Sequence, residues 1–111
     1  MNRYLGNAFS LNMVKPEDLP CVRFVDCPID QVMEWLSIYD WESCVGHRDT
    51  ATIFSNLLGI DVEHRRTSVT LSRGDSMVVG QYKGPRLEEG ATALPEDSEI
   101  QWVYVEILES E

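Results

Sequence analysis

A chain of 111 residues with 43% hydrophobic content is long enough for one domain with a single core and too short for two. Its formal net charge of −10 argues against a protein that coats DNA or RNA, although a small anionic ligand held by a few arginines is compatible with it. No apolar run approaches the ~18 residues of a membrane span, and the 3 cysteines fit neither a disulfide framework nor a zinc pattern. We therefore expect one reduced, cytoplasmic domain over residues 1–111, with neither a membrane nor duplex nucleic acid as its partner.

The N-terminal part of the chain predicts two strands. Arg3–Phe9 predicts the first, and Cys21–Val25 predicts the second, with a loop over Pro16–Pro20 between them. Asn7 and Ser10 would lie at and beyond the end of the first strand, where ligands bind in open α/β sheets. Side chains of this kind also satisfy the backbone of ordinary loops, so the ligand-binding and the structural interpretations both stay open.

A first helix is predicted to follow the second strand. Pro28 suits the first helical position, where its missing N–H has no intrahelical partner in any case. Apolar residues then recur at helical spacing, and the buried face is expected to consist of Val32, Trp35, Leu36 and Tyr39.

The segment Val45–Gly59 predicts a second helix with a histidine just before its N-terminus. Asp49 or Thr50 is the expected N-cap, and Gly46 allows the backbone to turn tightly ahead of His47. The expected apolar stripe is Ile53, Phe54, Leu57 and Leu58, followed by a glycine suited to a left-handed C-cap. Anions bind readily at helix N-termini, whereas a histidine at such a place is most often a surface or capping residue.

The C-terminal part of the chain predicts three further strands. Arg66–Leu71 alternates with period two and leads through a hairpin turn at Arg73–Asp75 into Met77–Tyr82, where Gly80 marks a bulge or a close backbone approach. Glu99–Leu108 alternates as the last strand. Five strands and two helices in this order predict an α/β fold with a mixed sheet and at least one parallel pairing, because the second helix must cross over to reach the later strands.

The segment Lys83–Pro95 shows no periodicity and is long for a connection in so short a domain. Such a connection is usually functional or disordered. Its embedded leucines and bracketing prolines favour a lid or binding loop that carries Arg86, Glu88 and Glu89. The alternative is a set of ordinary surface ion pairs among these three side chains.

The polar residues favour chemistry without a metal or an enzyme nucleophile. His47 and His64 share no ligand spacing, and neither a phosphate-binding glycine loop nor a nucleophile motif occurs. RNA phosphodiester cleavage fits this inventory, because the ribose 2′-hydroxyl is its own nucleophile. Such a site needs a base, an acid and cationic groups near the phosphate, and His47, Arg66, Arg86 and the loop glutamates supply candidates.

Taken together, several motifs make the chain resemble the viral ring nuclease family, the type III anti-CRISPR proteins that degrade cyclic tetra-adenylate. The matching segments are Asn7–Met13, Gly46-His47, Thr50-Ala51, Leu57–Gly59, Arg66, Gln81 and Arg86–Gly90. They occur in the family's order and at its spacing, and they span nearly the whole chain.

The resemblance implies a compact α/β homodimer that binds cyclic tetra-adenylate across the subunit interface and needs no metal or cofactor. It implies His47 as the general acid, Glu89 as the group that activates the 2′-hydroxyl, and Arg86, in a closing loop, as a catalytic phosphate contact. The implied ligand-binding set is Asn7, Ser10, Gly46, Arg66, Gln81 and Glu88. The expected product is linear di-adenylate with a 2′,3′-cyclic phosphate, and its formation would switch off type III CRISPR signalling.

Other interpretations stay open at this point. A module of the same fold would sense or sequester the cyclic nucleotide without cutting it, and a small viral interaction protein would use the Arg86 loop to bind a partner. Glu88 is the alternative to Glu89, because the stretch between Gln81 and Arg86 is one residue longer than in some archaeal viral members. Viral, prophage and cellular origins, the ring size, and the subunit that supplies each catalytic group also stay open.

Overall fold

The computed structural model describes residues 1–108 and, for residues 18–20, the backbone alone. Within these residues there are five strands and two α-helices. The strands are β1 (Arg3–Gly6), β2 (Val22–Asp26), β3 (Glu42–Ser43), β4 (Ser76–Lys83) and β5 (Glu99–Ile107), and the helices are α1 (Ile29–Ile38) and α2 (Arg48–Leu58). Leu11–Met13 and Pro16–Cys21 form short 3₁₀ helices. No helix within residues 1–108 combines the length and the apolar character needed to cross a membrane.

The strands form one mixed sheet in the order β2-β5-β4-β1-β3. β1 is parallel to both β3 and β4, whereas β5 is antiparallel to β4 and β2. The predicted α/β class and the predicted parallel pairing are therefore confirmed. The parallel strands β1, β3 and β4 end at the same edge of the sheet, which is where open α/β folds place their ligands.

Apolar cores cover both faces of the sheet. On one face, α1 and α2 pack on the sheet through Val32, Leu36 and Phe54, with Val78 and Trp102 beneath them. On the other face, Val79, Val105 and Ile107 are covered by loop residues that include Val14, Val69 and Leu71. The alternation of the last strand is confirmed, since Trp102 and Tyr104 contact the helix-side core and Val103, Val105 and Ile107 the opposite one.

The predicted strand Arg66–Leu71 is wrong. This segment lies over the face of the sheet opposite the helices, where Val69 and Leu71 are buried while Thr67 is exposed. Only Leu71 makes a bridge, to Val14, so no hairpin precedes the turn before β4. An extended segment that covers a sheet buries alternate residues just as an edge strand does, and period-two alternation does not distinguish the two.

Smaller differences concern element ends. The first strand stops at Gly6 instead of Phe9, and the loop expected over Pro16–Pro20 is helical. Tyr39 is the C-cap of α1 and is 41% exposed, so it is not a core residue. β3 was not predicted, because two residues are too few to show a period.

Gly80 marks a close approach and not a bulge. The register of β4 with β5 runs without interruption, and Gly80 pairs with Trp102. A Cβ at Gly80 would lie 2.5 Å from the Trp102 ring and 2.7 Å from Cζ of Phe54. The absence of a side chain here lets Phe54 of α2 pack directly on the sheet.

Candidate active site

An open groove with a volume of about 730 Å³ lies at the edge where the parallel strands end. Three parts of the chain contribute to it. They are the residue after β1, the segment at the start of α2, and the end of β4 with the loop that follows. The lining residues are Asn7, His47, Asp49, Thr50, Tyr82, Gly84, Arg86, Leu87 and Glu89. Four residues predicted from sequence, Asn7, His47, Arg86 and Glu89, are therefore brought together in one groove.

Asn7 is held between the end of β1 and the start of α2. It comes directly after the last residue of β1, and its Oδ1 accepts a hydrogen bond of 3.2 Å from the Gly46 N–H. This bond joins the two backbone segments that flank the groove, and it fixes the turn that presents His47.

His47 is the N-cap of α2, which corrects the prediction of Asp49 or Thr50 in that position. Its Nδ1 accepts a hydrogen bond of 3.3 Å from the Thr50 N–H and lies 3.2 Å from the Thr50 hydroxyl oxygen. Because a backbone N–H can only donate, Nδ1 is unprotonated in this geometry and Nε2 carries the proton of the neutral ring. At the other end of α2, Gly59 adopts φ +69° as the predicted left-handed cap.

The loop after β4 is bonded to the rest of the domain at three points. The Tyr82 hydroxyl donates to the carbonyl of Pro85. The Gly90 N–H donates to Oδ2 of Asp49 over 3.2 Å, and Nδ2 of Asn56 donates to the Thr92 carbonyl over 2.7 Å. The side chains of Arg86 and Glu89, which lie between the first and second of these points, are exposed towards the groove.

Five predicted site residues do not line the groove in the described part of the chain. Ser10 caps the 3₁₀ helix Leu11–Met13 by accepting from the Asn12 N–H over 3.3 Å. Gln81 is exposed on β4, and Glu88 is exposed with its carbonyl accepting from the Ala91 N–H. The remaining two, Gly46 and Arg66, are neighbours, since a Cβ at Gly46 would lie 3.6 Å from Cγ of Arg66.

Asp49, Thr50 and Tyr82 line the groove but were not predicted as site residues. Asp49 was predicted only as a helix cap, and Thr50 as a helix cap and as part of a motif shared with the ring nuclease family, although the first turn of a helix that follows a candidate catalytic histidine is a natural place for further site residues. Tyr82 carried a weak signal, because alternation from the buried Val78 through Gly80 places it on the helix side of β4.

The groove contains groups of both charges. The guanidinium of Arg86 faces the same space as the carboxylates of Asp49 and Glu89, and Arg66 lies next to the turn that precedes His47. No group of three or more His, Cys, Asp or Glu side chains within residues 1–108 is arranged to hold a metal ion. The arrangement places an imidazole, two carboxylates and a guanidinium around one space, which are groups that can transfer protons and balance negative charge.

Known proteins share the sequence pattern and the fold of this chain. A family model described as STIV B116-like matches residues 3–107. The solved structure of B116 of Sulfolobus turreted icosahedral virus is similar with a TM-score of 0.79 and 22% sequence identity, covering 96% of this chain and 99% of that chain. At this identity the structural likeness concerns the fold. No curated protein matches the sequence.

Proposed function

We propose that this chain, which belongs to the STIV B116-like family, is a metal-independent ring nuclease that cleaves cyclic tetra-adenylate to linear di-adenylate. In this proposal it ends type III CRISPR signalling in the cytoplasm, which is the host cytoplasm if a virus encodes it. The observation that carries the proposal is the single groove lined by His47, Arg86 and Glu89, which come from two segments about 40 residues apart. The choice of cyclic tetra-adenylate as the substrate rests on the motif resemblance.

The proposed reaction is an in-line displacement at phosphorus. The ribose 2′-oxygen forms a bond to phosphorus, its proton passes to Glu89, and the bond from phosphorus to the 5′-oxygen breaks. The imidazolium of His47 gives its Nε2 proton to the leaving 5′-oxygen and becomes the neutral ring, and the product keeps a 2′,3′-cyclic phosphate. Arg86 stabilises the additional negative charge on the phosphoryl oxygens as it develops.

Thr50 suits both protonation states of His47. In the neutral ring, Nδ1 accepts from the Thr50 N–H. When the ring takes up a second proton, Nδ1–H becomes a donor, and the Thr50 hydroxyl at 3.2 Å offers an acceptor within reach. The imidazolium that a general acid requires therefore has an acceptor within hydrogen-bond distance, while protonation of Nδ1 ends the bond from the Thr50 N–H.

The size of the groove supports a site completed by a second copy of the chain. Its volume of about 730 Å³ is in the range that encloses one drug-sized ligand, roughly 300–1,000 Å³. A ring of four adenylates is larger than such a ligand. We therefore propose a homodimer in which two grooves face one ring, so that two cuts yield two di-adenylates.

Incubation of the purified protein with cyclic tetra-adenylate in excess EDTA, followed by chromatography of the products, tests the proposal. Conversion to di-adenylate with a 2′,3′-cyclic phosphate is the expected result. An intact ring overturns the nuclease assignment, and ligand binding measured on the same sample then separates a sequestering module from a protein with no affinity for the nucleotide.

A histidine pair provides the matched control. His47→Ala is expected to retain ligand affinity and lose at least 100-fold in turnover, as removal of a general acid commonly does. His64→Ala removes the other histidine, which contacts the Gly46 carbonyl at 3.3 Å and does not line the groove. It is expected to keep most of the activity. Equal activity of the two variants would contradict the role of His47.

A further inference from the structure

We propose that Asp49 and Asn56 of α2 act as a two-point clamp that positions Glu89 for catalysis. The clamp is defined by the hydrogen bonds from the Gly90 N–H to Asp49 and from Asn56 to the Thr92 carbonyl. This inference rests on the proposed function, because it assigns a role in the same reaction to residues that need not touch the substrate.

The geometry of α2 explains why these two side chains work together. Residues seven apart on an α-helix are separated by almost two full turns and therefore share one face. Asp49 and Asn56 have this separation, and their partners, Gly90 and Thr92, are two residues apart on the loop. The loop segment thus runs alongside the helix, held at both ends of a short stretch whose middle residue, Ala91, is half-buried.

The clamp acts directly next to the proposed catalytic glutamate. Glu89 precedes Gly90, and a turn closed by the bond from the Ala91 N–H to the Glu88 carbonyl over 3.1 Å surrounds it. The loop has no helix or strand of its own between β4 and β5. The hydrogen bonds to Asp49 and Asn56 of α2 therefore determine the position of the Glu89 backbone. The same helix has His47 as its N-cap. One rigid helix positions both the acid and the carboxylate.

The charge of Asp49 distinguishes this role from ligand binding. A carboxylate in a groove for a polyanion repels the ligand, so it does not serve as a phosphate contact. Its oxygen, in contrast, is a good acceptor for the Gly90 N–H. Asparagine in this position keeps an acceptor oxygen and loses the charge, whereas alanine loses both.

The test compares Asp49→Asn with Asp49→Ala. We expect Asp49→Ala to lower kcat at least 10-fold with a smaller change in KM, and to raise the exchange rate of the Gly90 amide at least 10-fold in the free protein. Asp49→Asn is expected to keep kcat and the Gly90 protection, and to lower KM about 2- to 5-fold because a repelling charge is gone. Asn56→Ala should reproduce the loss in kcat, and Glu34→Ala, an exposed change on α1, should have no effect.

The outcomes separate this inference from the proposed function. Unchanged Gly90 exchange and unchanged kcat in Asp49→Ala would overturn the clamp. Equal loss of turnover in Asp49→Asn and Asp49→Ala would also overturn it, since the charge and not the acceptor would then matter. If the wild type fails to cleave the nucleotide, the proposed function fails, while amide exchange in the free protein still decides whether the clamp exists.

Discussion

Gly80→Ala is expected to be the most damaging small substitution on the helix side of the sheet. The new Cβ would lie 2.5 and 2.9 Å from two atoms of the Trp102 ring and 2.7 Å from Cζ of Phe54. These distances are about 1 Å shorter than an ordinary carbon–carbon contact. Phe54 is 0% and Trp102 6% exposed, and their ring centroids are 4.8 Å apart. Neither ring can move without disturbing the core.

The expected loss is at the upper end of the range for overpacked cores, about 3 kcal/mol in the free energy of unfolding. In a domain of 111 residues this corresponds to a fall in Tm of roughly 12 °C, at ~4 °C per kcal/mol. Because Phe54 belongs to α2, the strain also displaces the helix that carries His47 and Asp49. We therefore expect turnover to fall together with stability.

Thermal and urea unfolding of Gly80→Ala and Gly46→Ala measure this effect. Gly46 is the control, because a Cβ there would meet Arg66 at ordinary contact distances of 3.6–3.8 Å. The free energy of unfolding of Gly46→Ala should lie within about 1 kcal/mol of the wild-type value. A loss below about 1 kcal/mol in Gly80→Ala would show that the rings yield easily, and would refute the argument that the direct packing of Phe54 on the sheet fixes α2.

Three further predictions concern single side chains. Thr50→Val keeps the backbone N–H that donates to Nδ1 of His47 but removes the hydroxyl, so kcat at neutral pH should fall about 10-fold; a kcat equal to that of the wild type would contradict the assigned role. Burial raises the pKa of the Cys44 thiol to about 11, so the folded state holds this proton more tightly than the unfolded state. Stability should then fall by up to about 2 kcal/mol between pH 9 and 11, and urea unfolding of Cys44→Ala should lack that part of the decline. Arg86→Ala should lower kcat about 100- to 1,000-fold, whereas Arg23→Ala, which breaks an exposed ion pair of 3.7 Å, should leave the rate unchanged; equal rates in the two variants would contradict a phosphate contact by Arg86.

Periodicity and capping signals predicted much of the fold. β5 and the C-cap of α2 could be predicted because alternation and a terminal glycine are local properties of the sequence. The segment Arg66–Leu71 is not a strand, although buried and exposed residues alternate in part of it. Such alternation shows that one side of a segment is buried, and it does not show whether a neighbouring strand is hydrogen-bonded to it. The two-residue strand β3 left no pattern at all.

The residues of the candidate site also include some that the sequence indicates and some that it does not. The ends of elements can be recognised in the sequence, so Asn7 after β1 and His47 before α2 could be predicted as candidate site residues, and both line the groove. Hydrogen bonds between residues far apart in the chain leave no comparable pattern in the sequence. The bond between Asp49 and Gly90 joins residues 41 positions apart, and nothing near either residue indicates the other. Loop residues that come together through such bonds therefore required the structure.

The two adjacent glutamates of the loop test the central claim most directly. Both glutamates are exposed, but Glu89 lines the groove with His47 and Arg86, whereas Glu88 does not line it. Single-turnover cleavage of cyclic tetra-adenylate by Glu89→Gln and Glu88→Gln, in EDTA, compares changes of identical chemistry one residue apart. The account predicts a loss of at least 100-fold for Glu89→Gln and less than 3-fold for Glu88→Gln. Equal losses, or a larger loss for Glu88→Gln, would contradict the assignment of this groove as the catalytic site.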